Sequence, residues 1–312
     1  MNPESTNMGL MKDYISDCET RALSPETIRS KRSNIRTIAS FLDKQRISLI
    51  DVDKENLKQI LSYLRNERNI GETTQKHYFS DMSSFYDYLV YEEKTATNPV
   101  PPFRKWYLNS YKNGKHQETR KLISVREMGL LINSTLGIRD KALMTVLAKT
   151  GVRRGELISM DIDDVDFPSG RIRLKRKKKR SNLYVYFDDE CAVIISRWLR
   201  VRKQVANLGE SGLFVGDKGA RIHRNRVYKI VVENAVRVGF HDSSSDLLED
   251  HFGPHCFRHW FTTHLRRSGL SREFIQELRG DSRKEAIDIY DHIDHGELRK
   301  AYLAAVPRLG LA

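Results

Sequence analysis

Gly253-Pro254-His255-Cys256-Phe257-Arg258-His259 opens a stretch that runs on to Ser268 and Gly269. A proline directly after a glycine suits the first helical position, where its missing N–H costs nothing. The pattern predicts a helix over 254–268, stopped by Gly269. Phe257, Phe261 and Leu265 recur at four-residue spacing and predict a stripe facing a core. His255 and Arg258 are three residues apart and share a different face, within the first turn. The helix dipole favours anions there, so the pair suits a phosphate. The alternative is a metal set of His255, Cys256, His259 and His264, but no second ligand cluster of zinc spacing exists in the chain. His264 is read as packed.

Three further segments carry chemistry. Thr150-Gly151-Val152-Arg153-Arg154-Gly155-Glu156-Leu157 is a glycine turn between two predicted helices, and it puts Arg153 beside a helix start. A guanidinium with free backbone amides makes a phosphate site; taken alone, the turn reads first as a surface arginine beside a cap. Residues 171–180 hold eight basic side chains: Arg171, Arg173, Lys175, Arg176, Lys177, Lys178, Lys179 and Arg180. Ile172 and Leu174 alternate before the turn, and Leu183, Val185 and Phe187 after it, so the run predicts a basic hairpin tip rather than a loose tail. Such a tip can lie along a phosphate backbone. Tyr290 closes Ala286-Ile287-Asp288-Ile289-Tyr290. Alone it is an ordinary tyrosine, although a tyrosine near cations can act as a nucleophile.

The rest of the chain fits this picture. Its 312 residues suit two domains. The formal net charge is +13, which calls for a polyanionic partner: nucleic acid or an anionic membrane surface. Residues 1–110 carry 16 basic and 15 acidic side chains, against 38 and 26 in residues 111–312, so nearly all the excess lies in the second part. No apolar run approaches the ~18 residues of a bilayer span, and the first residues lack the pattern of a signal peptide. Cys18, Cys191 and Cys256 form no CxxC pair, which fits a reducing cytoplasm. Asn98-Pro99-Val100-Pro101-Pro102 holds three of eight prolines and marks a seam, placing the domains at 1–105 and 106–312. The first part predicts four helices: one over 8–21, one opening at Ser24-Pro25-Glu26, and two marked by Leu57 to Leu64 and Phe79 to Leu89. The second part mixes helices (138–149, 191–205, 227–238, 271–279, 282–290) with the hairpin.

In this order, the arginine of TGxR, a lysine on a hairpin, HxxR and a tyrosine resemble the tyrosine recombinase (phage integrase) family, and the Ser24-Pro25-Glu26-Thr27 helix resembles that family's core-binding domain. The likeness spans roughly residues 8–305, and the closing run from Leu278 to Asp294 is most similar to archaeal integrases. It implies a mainly α fold with a small β-sheet: a helical SAM-like core-binding domain, then an α+β catalytic domain. It also implies catalytic roles for Arg153, Lys177, His255, Arg258 and Tyr290. Lys177 is chosen from crowded neighbours by an ungapped match from Arg153 through Gly170. Glu156 would orient Arg153 or nearby backbone. The other hairpin cations, Arg173, Lys175, Arg176, Lys178, Lys179 and Arg180, would contact DNA.

One position departs. Gly280-Asp281-Ser282 stands where the family has Gly-His-Ser, sometimes with tryptophan. An ionised aspartate donates no hydrogen bond and repels phosphate. Asp281 is expected to pair with Arg279 or Arg283, or to cap the helix carrying Tyr290, for which Ser282 and Glu285 have capping-box spacing; a catalytic role is the alternative. The resemblance implies cleavage and rejoining of DNA through a 3′-phosphotyrosyl link, without metal, ATP or other cofactor. Its partners would be double-stranded DNA with specific recombination sites and further copies in a homo-tetramer, with no membrane. The tail, Leu298 to Val306, would dock either on a neighbouring protomer or on its own domain. Competing readings are a type IB topoisomerase-like nicking-closing enzyme and a catalytically impaired DNA-binding regulator.

Overall fold

The computed structural model describes residues 3–108, 121–176, 182–245, 247–281 and 293–311. The chain divides into two compact units, 1–115 and 116–312. Among the described residues no helix is long and apolar enough to cross a membrane.

The first unit is helical: α1 (Pro3–Thr20), α2 (Pro25–Lys44), α3 (Lys54–Ser62) running into a π-type turn (Tyr63–Glu67), α4 (Glu72–Tyr91) and α5 (Val100–Tyr107). Ser24 caps α2, its Oγ accepting the Thr27 N–H at 3.2 Å, with Pro25 as the first helical residue. Ile35, Ile38 and Leu42 bring the apolar stripe of α2 into a core with Leu57, Phe79 and Phe85. Asn7 is a buried polar plug. Its amide donates to Asp43 Oδ1 at 2.7 Å and to the Ile47 carbonyl at 3.1 Å, and accepts the Leu49 N–H at 2.7 Å. Four helices were expected here; α5 is a fifth. The prolines of the predicted seam begin a helix instead of breaking one, because a first turn needs none of their missing donors. Val100 and Phe103 then pack into the first unit's core.

The second unit contains α6 (Val125–Asn133), α7 (Ile138–Thr150), α8 (Arg154–Ser159), β1 (Val165–Asp166), β2 (Arg171–Arg173), β3 (Tyr184–Tyr186), α9 (Asp189–Val205), α10 (Arg224–Arg237), α11 (Pro254–Arg267), α12 (Arg272–Arg279) and α13 (His295–Ala305). From Ala142 to Thr150 every residue of α7 is buried, so this helix is the axis on which α9 and α11 pack. It ends at Gly151, in the left-handed region at φ +60°. A Cβ there would overlap the Phe261 ring, 2.7 Å from Cγ, so both backbone and packing require glycine. Strands β1, β2 and β3 form a small antiparallel sheet in that order. Arg171, Ile172 and Arg173 pair with Tyr186, Val185 and Tyr184, as the alternation predicts.

The tail packs on its own unit. Leu298 and Tyr302 of α13, with Val306 and Leu309 beyond it, belong to the core. The Tyr302 hydroxyl donates to the Lys149 carbonyl at 2.7 Å. Lys149, fully buried, reaches Asp188 and Glu190 and donates to the Pro307 carbonyl at 2.7 Å. Glu190 also accepts the N–H groups of Leu309 and Leu311. Gly129 lets the Leu309 carbonyl approach where a side chain would not fit.

Candidate active site

Three chain turns meet at one point: the end of α7, the start of α11 and the end of α12. Arg258, on α11, joins them. Its Nη1 donates to the Gly151 carbonyl at 2.9 Å, and its Nη2 to the Arg279 carbonyl at 3.0 Å and to Asp281 Oδ1 at 2.9 Å. The residue is buried, with the stripe of Phe257, Phe261 and Leu265 packed on the core side as predicted. Burial, then repulsion from Arg153 and Arg279, brings its pKa down to about 10, against the pull of Asp281 and Glu156. Arg258 therefore remains a cation at neutral pH. His255 lies on the exposed side of the same helix.

Arg153 is the residue before α8. Its backbone N–H donates to Glu156 Oε2 at 2.8 Å, and its Nη1 to Glu156 Oε1 at 3.2 Å. Buried Glu156 thus fixes both the backbone and the head of Arg153. The other end of the fork, Nη2, donates to Asp281 Oδ1 at 2.9 Å. Asp281 is reached through a glycine turn. Gly280 adopts φ +61°, and the Asp281 N–H bonds back to the Gln276 carbonyl at 3.2 Å. Arg279 Nε lies 2.8 Å from Asp281 Oδ2. The expected pairing with Arg279 is present, and with it a pairing that sequence reasoning missed: both predicted phosphate-binding arginines hold the same carboxylate. Gly280 was legible as a helix stop, but its φ, which sets where Asp281 points, was not.

The hairpin stands beside this cluster. Asn182 Nδ2 donates to the Tyr184 carbonyl at 2.8 Å and to the Glu277 carbonyl of α12 at 3.2 Å, tying the segment just before β3 to the helix that ends at Arg279. Its first cations sit over acidic partners. Lys175 Nζ lies 2.7 Å from Asp161 and 2.8 Å from Asp164, Arg173 Nε lies 3.4 Å from Asp164, and Arg171 Nε lies 3.0 Å from Asp166. Hydrogen bonds to Asp161 and Asp164 raise the pKa of Lys175, while Arg221 and Lys175 hold Asp161 well below the usual carboxylate range. Arg176 is exposed. Lys177, Lys178, Lys179, Arg180 and Tyr290, with Ser282, Arg283 and Glu285, lie outside the described residues. His264 is packed: it lies 3.2 Å from the Ile123 carbonyl and 4.6 Å from the Trp260 ring, and burial lowers its pKa. Among the described residues no three His, Cys, Asp or Glu side chains converge as metal ligands would.

Within the second unit, an arginine pair on one anion is an arrangement suited to binding a phosphate. The sequence pattern of the phage integrase family matches residues 115–297, and that of the phage integrase N-terminal SAM-like domain matches residues 10–95. The chain belongs to this family, the tyrosine-type site-specific DNA recombinases. It is 30% identical to tyrosine recombinase XerC of Vibrio parahaemolyticus serotype O3:K6, over 98% of this chain and 95% of that protein. It is 28% identical to tyrosine recombinase XerC of Staphylococcus haemolyticus, over 92% and 93%. Among solved structures it shares its fold with a lambda integrase dimer bound to a core site (TM-score 0.64, 15% identity, 92% of this chain and 98% of that one). It also shares it with XerH bound to its difH substrate (TM-score 0.63, 20% identity, 90% and 80%).

Proposed function

We propose that the chain cuts and rejoins double-stranded DNA at specific recombination sites through a 3′-phosphotyrosyl intermediate, with Tyr290 as nucleophile. The observation that carries this reading is the convergence of Arg153 Nη2 and Arg258 Nη2 on a single anion, each at 2.9 Å. In the reaction the tyrosine oxygen bonds to phosphorus while the bond to the 5′ oxygen breaks. The Tyr290 proton passes to His255, and Lys177 protonates the leaving 5′ oxygen. The two guanidiniums bind a non-bridging oxygen together as negative charge grows there. The bond energy stays in the phosphotyrosine, so rejoining by a second 5′-hydroxyl needs no ATP, and the arginines supply the charge a metal supplies in other strand-transfer sites.

The same reading places the protein in the cytoplasm, working as a homo-tetramer on two paired sites. Exchange of tails between copies would require residues 306–311 to leave Lys149 and Glu190, the partners they hold in the single chain. The basic hairpin supplies part of the sequence-independent affinity.

Covalent trapping tests this. A suicide duplex nicked near the cleavage point is incubated with wild type and with Tyr290→Phe, without metal or ATP, and run on a denaturing gel. A retarded band with wild type alone is expected. An equal band from Tyr290→Phe would remove the nucleophile assignment.

A further inference from the structure

We propose that Asp281 is an internal stand-in for the scissile phosphate, and that Arg279 is a third guanidinium contacting that phosphate, on the non-bridging oxygen opposite the one taken by Arg153 and Arg258. The proposal rests on the reading of this site as the strand-cleavage centre. The two carboxylate oxygens are held differently: Oδ1 accepts from Nη2 of both Arg153 and Arg258, whereas Oδ2 lies 2.8 Å from Nε of Arg279 as an ion-pair contact. A phosphodiester offers the same two acceptors and the same single negative charge. The two anions need the same Nη2 donors, which favours exchange over coexistence. Arg153, Arg258 and Arg279 face Asp281 and Glu156, a local excess of one positive charge, and one phosphodiester in place of the Asp281 carboxylate leaves that excess unchanged. Both anions together would cancel it and set two like charges on the same guanidinium donors at close range.

The surroundings permit the exchange. Arg258 is pinned by the Gly151 and Arg279 carbonyls and is nearly closed to solvent, so it stays when the anion changes. The Arg153 and Asp281 side chains are 42% and 30% exposed, so solvent and a ligand reach them. Asp281 follows Gly280, whose left-handed conformation turns the chain out of α12 at the anion. Arg279, the last residue of that helix, is positioned by the same turn. Displacing Asp281 is therefore a step that DNA must complete before cleavage, and it places a selection for correctly seated phosphate in the resting enzyme.

Two measurements on the full chain test this. The first uses suicide duplexes with one non-bridging oxygen of the scissile phosphate replaced by sulfur, in each diastereomer. Arg279→Ala is expected to slow adduct formation by about 100-fold, as loss of one oxyanion donor does. Its penalty for sulfur should vanish at one oxygen and persist at the other, with Arg153→Ala giving the opposite pattern and Arg279→Lys falling between. Penalties kept at both oxygens in Arg279→Ala would overturn the contact and leave Arg279 a structural residue. The second measures equilibrium affinity for a duplex carrying the site and needs no cleavage. Asp281→Asn is expected to bind several-fold tighter than wild type, since an amide no longer competes with phosphate. Equal or weaker binding would overturn the stand-in. Absence of adduct from wild type in the first assay would count against Tyr290 chemistry while the binding result still judges Asp281.

Discussion

Lys149→Met should unfold the second unit much more easily, and the deficit should shrink on acidification. Lys149 Nζ is fully buried and meets Asp188 Oδ2 and Glu190 Oε2, each at 2.5 Å, together with the Pro307 carbonyl at 2.7 Å. Removing one partner of a buried pair costs about 3–5 kcal/mol, because the remaining charge is stranded. The Pro307 carbonyl loses a donor as well, roughly 1 kcal/mol. Against this, Asp188 keeps the Cys191 N–H and Glu190 keeps those of Leu309 and Leu311. A loss of about 4 kcal/mol at pH 7 follows, or about 2 M in urea midpoint at a slope of roughly 2 kcal/mol/M. Trp198 and Trp260 are buried in this unit and report the transition by fluorescence.

The pH dependence is the sharper part of that test. In wild type, burial alone would raise the Glu190 pKa, but the hydrogen bonds from Lys149 and from the Leu309 and Leu311 N–H groups bring it below the usual value. A depressed carboxyl contributes stability that is present above its unfolded pKa and is lost as pH falls through the folded one. Without Lys149, burial dominates and the folded pKa rises, so the variant loses stability as pH rises instead. The gap between the two proteins therefore narrows from pH 7 to pH 4.5. A deficit below about 1 kcal/mol at pH 7, or a gap that widens toward pH 4.5, would refute this account of how the tail is held.

Gly151→Ala should cost about 2–5 kcal/mol, the sum of left-handed strain and overpacking against Phe261, measured by urea unfolding; it should also slow cleavage, since Arg258 hangs on the Gly151 carbonyl. Lys177→Ala should slow adduct formation more than Lys175→Ala, because Lys175 is held by Asp161 and Asp164 with a raised pKa; single-turnover rates give the order. Exposed Arg176 should matter more for DNA affinity than Lys175. Arg176→Ala is expected to lower the slope of log K against log salt by about one, and Lys175→Ala by less, as titrations between 50 and 200 mM salt would measure.

The sequence carried most of the helices. Ser24-Pro25 starts α2, Gly151 and Gly280 stop α7 and α12, and the alternation at 171–187 is the hairpin, because each is set by local backbone chemistry. Arg153 and Arg258 stood out beside helix starts, but their roles, and the choice of Glu156, came only with the resemblance to the integrase family. What was not legible depends on contacts between distant segments. The proline-rich stretch at 99–102 reads as a break until Val100 and Phe103 find the first core. Asp281 reads as a cap or a local ion pair until Arg153, 128 positions earlier, is brought to it. The buried charge of Lys149, inside an apolar helix, has no local signal of its partners at 188, 190 and 307.

The three cysteines give the molecule its own stability probe. Cys18 is enclosed in the first unit's core, and Cys191 and Cys256 are buried in the second. Burial pushes the thiol pKa of Cys18 and of Cys191 upward, so in the closed protein neither offers a thiolate to an alkylating reagent. Reagent can reach them only when the surrounding unit opens. The rate at which Cys18 is alkylated thus measures how often the first unit opens, and that of Cys191 how often the second does, with no added label and under conditions where both units are folded.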